Sequence, residues 1–240
     1  MILHTSKTAP NQKAFTIIEL MIATSILAII LLLVTTMMIS IGNLYYKGTT
    51  QASLQDNVRN ITDEISQDLQ LNGSALITGT NTNPNLPRSY CIGTTRYTYI
   101  LGKELSTSPG AYQSYHVLWR STVPAGTCPD IVSATFNATS LSTRDPGTEL
   151  IGPSSMLTSF TITTGASPFT ITINEAYGSN SLLCDTGTDT GAGGACNTPT
   201  ATSNHIWDPN PPVGQVVCRG FTGTQFCSTA GLTVTVSERL

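Results

Sequence analysis

Glu19 is the residue with the most pointed chemistry in this chain. It sits at the edge of an apolar run, in KAFTIIELMIA. A carboxylate beside hydrocarbon is costly unless it is solvated or paired with a cation. It either lies at headgroup level as a boundary residue or waits for a cation supplied by processing or by a partner. The second chemical set is Cys91, Cys128, Cys184, Cys196, Cys218 and Cys227, all of them beyond the apolar run. An even number placed on one side of such a run suggests disulfides in an oxidising compartment. Closeness in sequence suggests Cys184–Cys196 and Cys218–Cys227, which leaves Cys91–Cys128; other pairings stay open. Zinc is the competing reading, weakened by the lack of a close CxxC pair.

Other chemistry is thin. The histidines are His4, His116 and His205. No nucleophile elbow supports a hydrolase triad around His205, and His116 reads as structural or surface polar. Phosphate-binding and dinucleotide-binding glycine motifs are lacking. Asp185, Asp189 and Asp208 miss the calcium-loop spacing, because Gly187 stands where a ligand is needed. Arg96 with Tyr97 and Tyr99 could form a small basic and aromatic patch for nucleic acid, with an ordinary surface strand as the alternative. The expectation is therefore no catalytic residue, no metal and no cofactor, and no nucleic-acid partner is predicted.

Composition agrees. Among 240 residues, 11 Lys and Arg stand against 14 Asp and Glu, a formal charge of -3, and charged residues make up 10%. That excludes a highly charged disordered chain. It also argues against binding nucleic acid by bulk charge.

The element that must position Glu19 is LMIATSILAIILLLVTTMMISI, Leu20 to Ile41, 22 residues without a charge. As a helix it spans about 33 Å, the thickness of a bilayer core. Its Ser and Thr hydroxyls can bond to the helix's own carbonyls. A signal peptide would be shorter and end in a small-residue cleavage site. Lys7 and Lys13 precede the run, and Lys47 and Asp56 follow it. The positive-inside tendency puts the leader in the cytoplasm and the bulk of the chain outside.

Lys13-Ala14-Phe15-Thr16-Ile17-Ile18-Glu19-Leu20-Met21-Ile22-Ala23 resembles the processing site of type IV pilins and the related pseudopilins. The resemblance implies that a prepilin peptidase cuts between Ala14 and Phe15. Phe15 becomes the N-methylated terminus, and Glu19 becomes the fifth mature residue. In that family the carboxylate pairs with the free amine of a neighbouring subunit during assembly. Ala14 replaces the family's usual Gly. Thr36 stands where many major pilins carry Pro, which fits a minor pilin or pseudopilin, and the length of the chain is most like a larger minor pilin or a J-type minor pseudopilin. The implied function is a structural subunit of a type IV pilus, competence pilus or type II secretion filament. The implied partners are other pilin or pseudopilin subunits through the N-terminal helix, the peptidase and an inner-membrane assembly platform. The implied location is a single-pass membrane protein with an extracytoplasmic head, then a surface pilus or periplasmic pseudopilus. The alternatives are a major pilin, a monomeric membrane-tethered adhesin or binding protein, and, least supported, an anchored enzyme.

The helical pattern continues past the apolar run. Leu54, Val58, Ile61, Ile65 and Leu69 recur at helical spacing with polar residues between them. One helix from about Thr16 to Leu71 would run roughly 80 Å, ending at Asn72-Gly73. Strands are expected at Tyr97–Leu101, His116–Thr122, Ile131–Ala138, Leu157–Thr163, Phe169–Asn174, Val213–Cys218 and Leu232–Ser237. NTNPNLP, at Asn81 to Pro87, and the Gly/Thr/Asn-rich stretch Asp185 to Pro212 read as loops. The expected fold is α+β: a long helix, membrane-spanning in its first half, whose second half packs on a mainly antiparallel β-sheet head. The expected divisions are residues 1–14 as leader, 15–72 as helix with a span at about 20–41, and 73–240 as head.

Overall fold

The computed structural model describes residues 15–83, 85–110, 113–163, 165, 167–179, 182–185, 215–218 and 226–239. The chain divides into two compact units, one ending at Leu44 and one running from Tyr45. Helix α1, Ile17–Asn72, is continuous over 56 residues and contributes to both. Gly42 and Gly48 lie inside it without interrupting it.

Among the described residues of the first unit the apolar side chains have nothing to pack on. Ile22, Ile26, Ile30, Leu33 and Met37 are all exposed. The hydroxyls are satisfied locally: Thr24 donates to Leu20 O, Ser25 to Met21 O, Thr35 to Leu31 O and Ser40 to Thr36 O. A helix that closes its own polar groups and exposes only hydrocarbon suits lipid or neighbouring helices. Among the described residues it is the one helix long and apolar enough to cross a bilayer.

The second unit is organised by the other half of α1. Leu54, Val58, Ile61, Ile65 and Leu69 form its buried stripe, joined by Thr62. The helix stops at Asn72, and the next residue, Gly73, lies against the Phe169 ring with no room for a Cβ. The strands are β1 (Leu76–Thr78), β2 (Arg88–Ile92), β3 (Thr95–Tyr99), β4 (Glu104–Leu105), β5 (Gln113–Ser114), β6 (Leu118–Thr122), β7 (Gly147–Glu149), β8 (Ser155–Ile162), β9 (Phe169–Tyr177), β10 (Leu183–Asp185), β11 (Val216–Cys218) and β12 (Ser228–Val236). They form one sheet ordered β1-β2-β3-β6-β7, a second ordered β12-β9-β8-β4-β5, and the two-stranded sheet β10-β11. Among the described residues all pairings are antiparallel except β4 with β5.

Both large sheets feed one core with α1. Val58, Ile61, Ile65 and Leu69 meet Ile92, Tyr97, Tyr99 and Leu118 of the first sheet and Phe160, Phe169, Ile171 and Ile173 of the second. β9 shows how the sequence builds this. Phe169, Ile171 and Ile173 are buried, while Thr170, Thr172 and Asn174 between them are only half-buried. That is the period of two that places alternate residues on opposite faces. The architecture is α+β, a long helix packed through its second half on antiparallel-rich sheets.

Several expectations are corrected. Among the described residues the head has two five-stranded sheets and a two-stranded one where one sheet was expected. Ile131–Ala138 is not a strand; it contains the short helix α2, Ser133–Phe136, followed by α3, Leu141–Arg144. Ile131, Phe136 and Leu141 are buried with Ile100 and Trp119, while Val132 is 69% exposed. Ile131 and Phe136, an odd number of residues apart, are both buried, which breaks the period of two that an alternating strand keeps. β3 lies two residues earlier than expected, and β1, β2, β4, β5, β7 and β10 were unanticipated. Of Val213–Cys218, residues 216–218 form β11 and residues 213 and 214 lie outside the described residues.

Candidate functional site

The start of α1 carries the site. Thr16 precedes the first helical residue and Glu19 is the third residue inside it, the spacing of a capping box. The Thr16 amide donates to Glu19 Oε2 at 2.9 Å, and the Thr16 hydroxyl donates to the same oxygen at 2.9 Å. The Glu19 amide in turn donates to Thr16 Oγ1 at 3.3 Å. The carboxylate therefore satisfies donors at the helix's positive end, where its charge is favoured. These bonds use Oε2 alone. Oε1 accepts no hydrogen bond among the described residues. Phe15, 86% exposed, is the residue immediately before this cap. Ala14, the other half of the expected cleavage pair, lies outside the described residues.

Further along α1, polar contacts fix the helix to the second unit. Tyr97 donates its hydroxyl to Asp68 at 2.7 Å, and burial with this acceptor pushes the phenol's pKa well up. Arg120 Nε lies 2.6 Å from Glu64 Oε1, out of line for a hydrogen bond. Asn57 donates to both oxygens of Glu175, at 3.1 and 2.9 Å. Glu175 is 1% exposed, and burial raises its pKa to about 7 against the pull of Asn57 and Ser155. The chain end returns to the same helix, with the Arg239 amide donating to Gln70 O. Sequence reading missed this set. The only signal available was polar residues bordering the apolar stripe.

The cysteines fall into place in part. Cys91 is bonded to Cys128, and Cys218 to Cys227. Cys184 is disulfide-bonded, and Cys196 lies outside the described residues. The first bond ties β2 to the segment before α2. The second ties β11 to the residue before β12.

The nucleic-acid patch is overturned. Arg96, Tyr97 and Tyr99 are 5%, 0% and 3% exposed, so neither stacking nor phosphate contact is open to them. Arg96 instead donates to Ser121, Pro129 O and Asp145. His116 is packed on Trp119 and Phe136, with Nδ1 3.4 Å from Glu149 Oε2. Neither ring nitrogen has a hydrogen-bond partner among the described residues, so no serine nucleophile is poised on it. Asp185 is buried in β10, and Asp189, Asp208 and His205 lie outside the described residues. Among the described residues no group of three metal-ligating side chains occurs.

Comparison with known proteins adds one finding. The family model of the prokaryotic N-terminal methylation motif matches residues 9–35. That interval contains Ala14, Phe15, the Thr16–Glu19 cap and the first 16 of the 22 residues of the apolar run. No curated protein and no solved structure matches the chain.

Proposed function

We propose that this protein is a filament subunit, a minor pilin or pseudopilin of a type IV pilus, competence pilus or type II secretion system. A prepilin peptidase removes residues 1–14, Phe15 becomes the methylated terminus, and the apolar part of α1 holds the subunit in the membrane with its head outside. An assembly platform then transfers that helix into the filament. The observation that carries this reading is the methylation motif lying directly on the capped start of a single long apolar helix. The cap engages one oxygen of the Glu19 carboxylate. Its second oxygen is left to meet a neighbour's terminal amine, where an unpaired carboxylate would cost several kcal/mol on the order of magnitude.

The test is intact mass and N-terminal sequencing of protein from native membranes and sheared surface material. The expected result is a chain beginning at N-methyl-Phe15. Loss of Lys7 and Lys13 with the leader shifts the formal charge from -3 to -5, a change that isoelectric focusing reads. A chain retaining residues 1–14, in cells whose other pilins are processed, would overturn the reading in favour of a tethered binding protein.

A further inference from the structure

Four residues past Ile41, the end of the apolar run, come Tyr45, Tyr46 and Lys47, all exposed. The fold adds a third ring from the far end of the chain. Phe226 packs edge-on against Tyr46, with centroids 5.3 Å apart, and is itself 48% exposed. It is held there by its neighbour Cys227, which is fully buried and bonded to Cys218. Tyr45, 73% exposed, and Lys47 flank this ring pair in sequence.

We infer that Tyr45, Tyr46, Phe226 and Lys47 form an interfacial collar that rests in the headgroup layer of the membrane. The inference rests on the anchored-subunit reading above. The argument for lipid is position. Four residues of helix rise about 6 Å, and the headgroup layer occupies roughly the first 5–7 Å beyond the hydrocarbon. When the apolar run spans the bilayer, these rings are carried to that depth. Aromatic rings and lysines are the side chains that settle there, the rings against the acyl boundary and the ammonium among phosphates. The collar draws on both ends of the second unit. It must be lifted out of the lipid when the subunit leaves.

The experiment uses the full chain in vesicles of phosphatidylethanolamine and phosphatidylglycerol carrying a nitroxide on either the headgroup or the acyl chain. Phe226→Trp and Tyr45→Trp are the reporters, read as emission added over the parent chain. Val132→Trp, at another exposed apolar position of the same unit, is the reference. The headgroup nitroxide is expected to quench both reporters severalfold more than the reference. Equal quenching would overturn the collar. Leu33→Trp with the acyl-chain nitroxide separates the two readings. If Leu33→Trp is quenched and the reporters are not, the collar alone fails; if Leu33→Trp is also unquenched, the anchor and the collar fail together.

Discussion

Glu19 has two roles that a pair of substitutions can separate. As a cap it accepts from the Thr16 amide and hydroxyl; as a charge it meets a cation. Losing a cap costs about 1 kcal/mol, far too little to dislodge an apolar helix from lipid. Both Glu19→Ala and Glu19→Gln are therefore expected to leave membrane retention unchanged, as measured by carbonate extraction. Glu19→Gln keeps an acceptor for Thr16 and removes the charge. Filament incorporation reduced as severely as in Glu19→Ala would assign the defect to the charge; normal incorporation of Glu19→Gln would sink the amine-pairing mechanism. The Thr16-x-x-Glu19 spacing was legible in the sequence, although the carboxylate was read there for pairing and not for capping. Glu175 was not legible at all, because nothing local marks a strand carboxylate for burial under a helix. Its folded pKa is raised to about 7 from the ordinary 4.5, with Asn57, Ser155 and Glu149 around it and Asp56 and Tyr177 lining the same cleft. The native state holds that proton more tightly than the unfolded chain. Its contribution to stability is thus full below about pH 4.5 and is lost as pH rises through about 7. Chemical denaturation across that range should show the head losing stability, and Glu175→Gln should flatten the slope. An unchanged slope would mean that other groups set it.

At the scale of elements, α1 was the most readable part, since its two halves follow two simple patterns. An unbroken apolar run needs only length, and the stripe from Leu54 to Leu69 needs only helical spacing. The stripe carries the packing: Ile65 and Leu69 are 0% exposed. Ile65→Ala should cost about 2–5 kcal/mol, the range for a large side chain removed from a closed core. Urea unfolding of the full chain in micelles, followed by tyrosine and tryptophan signals of the head, would measure it. Leu71→Ala, two residues beyond Leu69 and 70% exposed, should change little and serves as the control. The strands were readable where alternation was clean, as in β9 and β12, and unreadable where they were two or three residues long. β4, β5 and β7 are held by neighbours and not by pattern. Ile131–Ala138 misled because β-rich composition says nothing about spacing. Burial of Phe136 and Leu141 beneath Trp119 decides the turn of helix there, and that contact is tertiary.

At the scale of the molecule, the two units draw their stability from different sources. Among the described residues the first has no packed core of its own, and its exposed apolar side chains suit an apolar environment; the second has a core, ion pairs and disulfides. Damage to one should therefore leave the other intact, and the disulfides provide the means to ask. Cross-linking stabilises chiefly by restricting the unfolded chain, more so for longer loops. The Cys91–Cys128 bond closes a separation of 37 residues and Cys218–Cys227 one of 9. Chain-entropy scaling gives about 4 kcal/mol for the first and about 3 kcal/mol for the second. Replacing Cys91 and Cys128 together by Ala should lower the head's unfolding free energy more than the same exchange at Cys218 and Cys227. Neither pair should alter extraction of the chain from membranes. The shorter bond has a separate consequence, because it holds Phe226 against Tyr46. Its loss should loosen the aromatic contact without unfolding the main core, read as faster hydrogen exchange confined to residues near 226–228. If exchange instead rises along the Leu54–Leu69 stripe, the loop and the core unfold as one body, and the division of labour between the two disulfides is wrong.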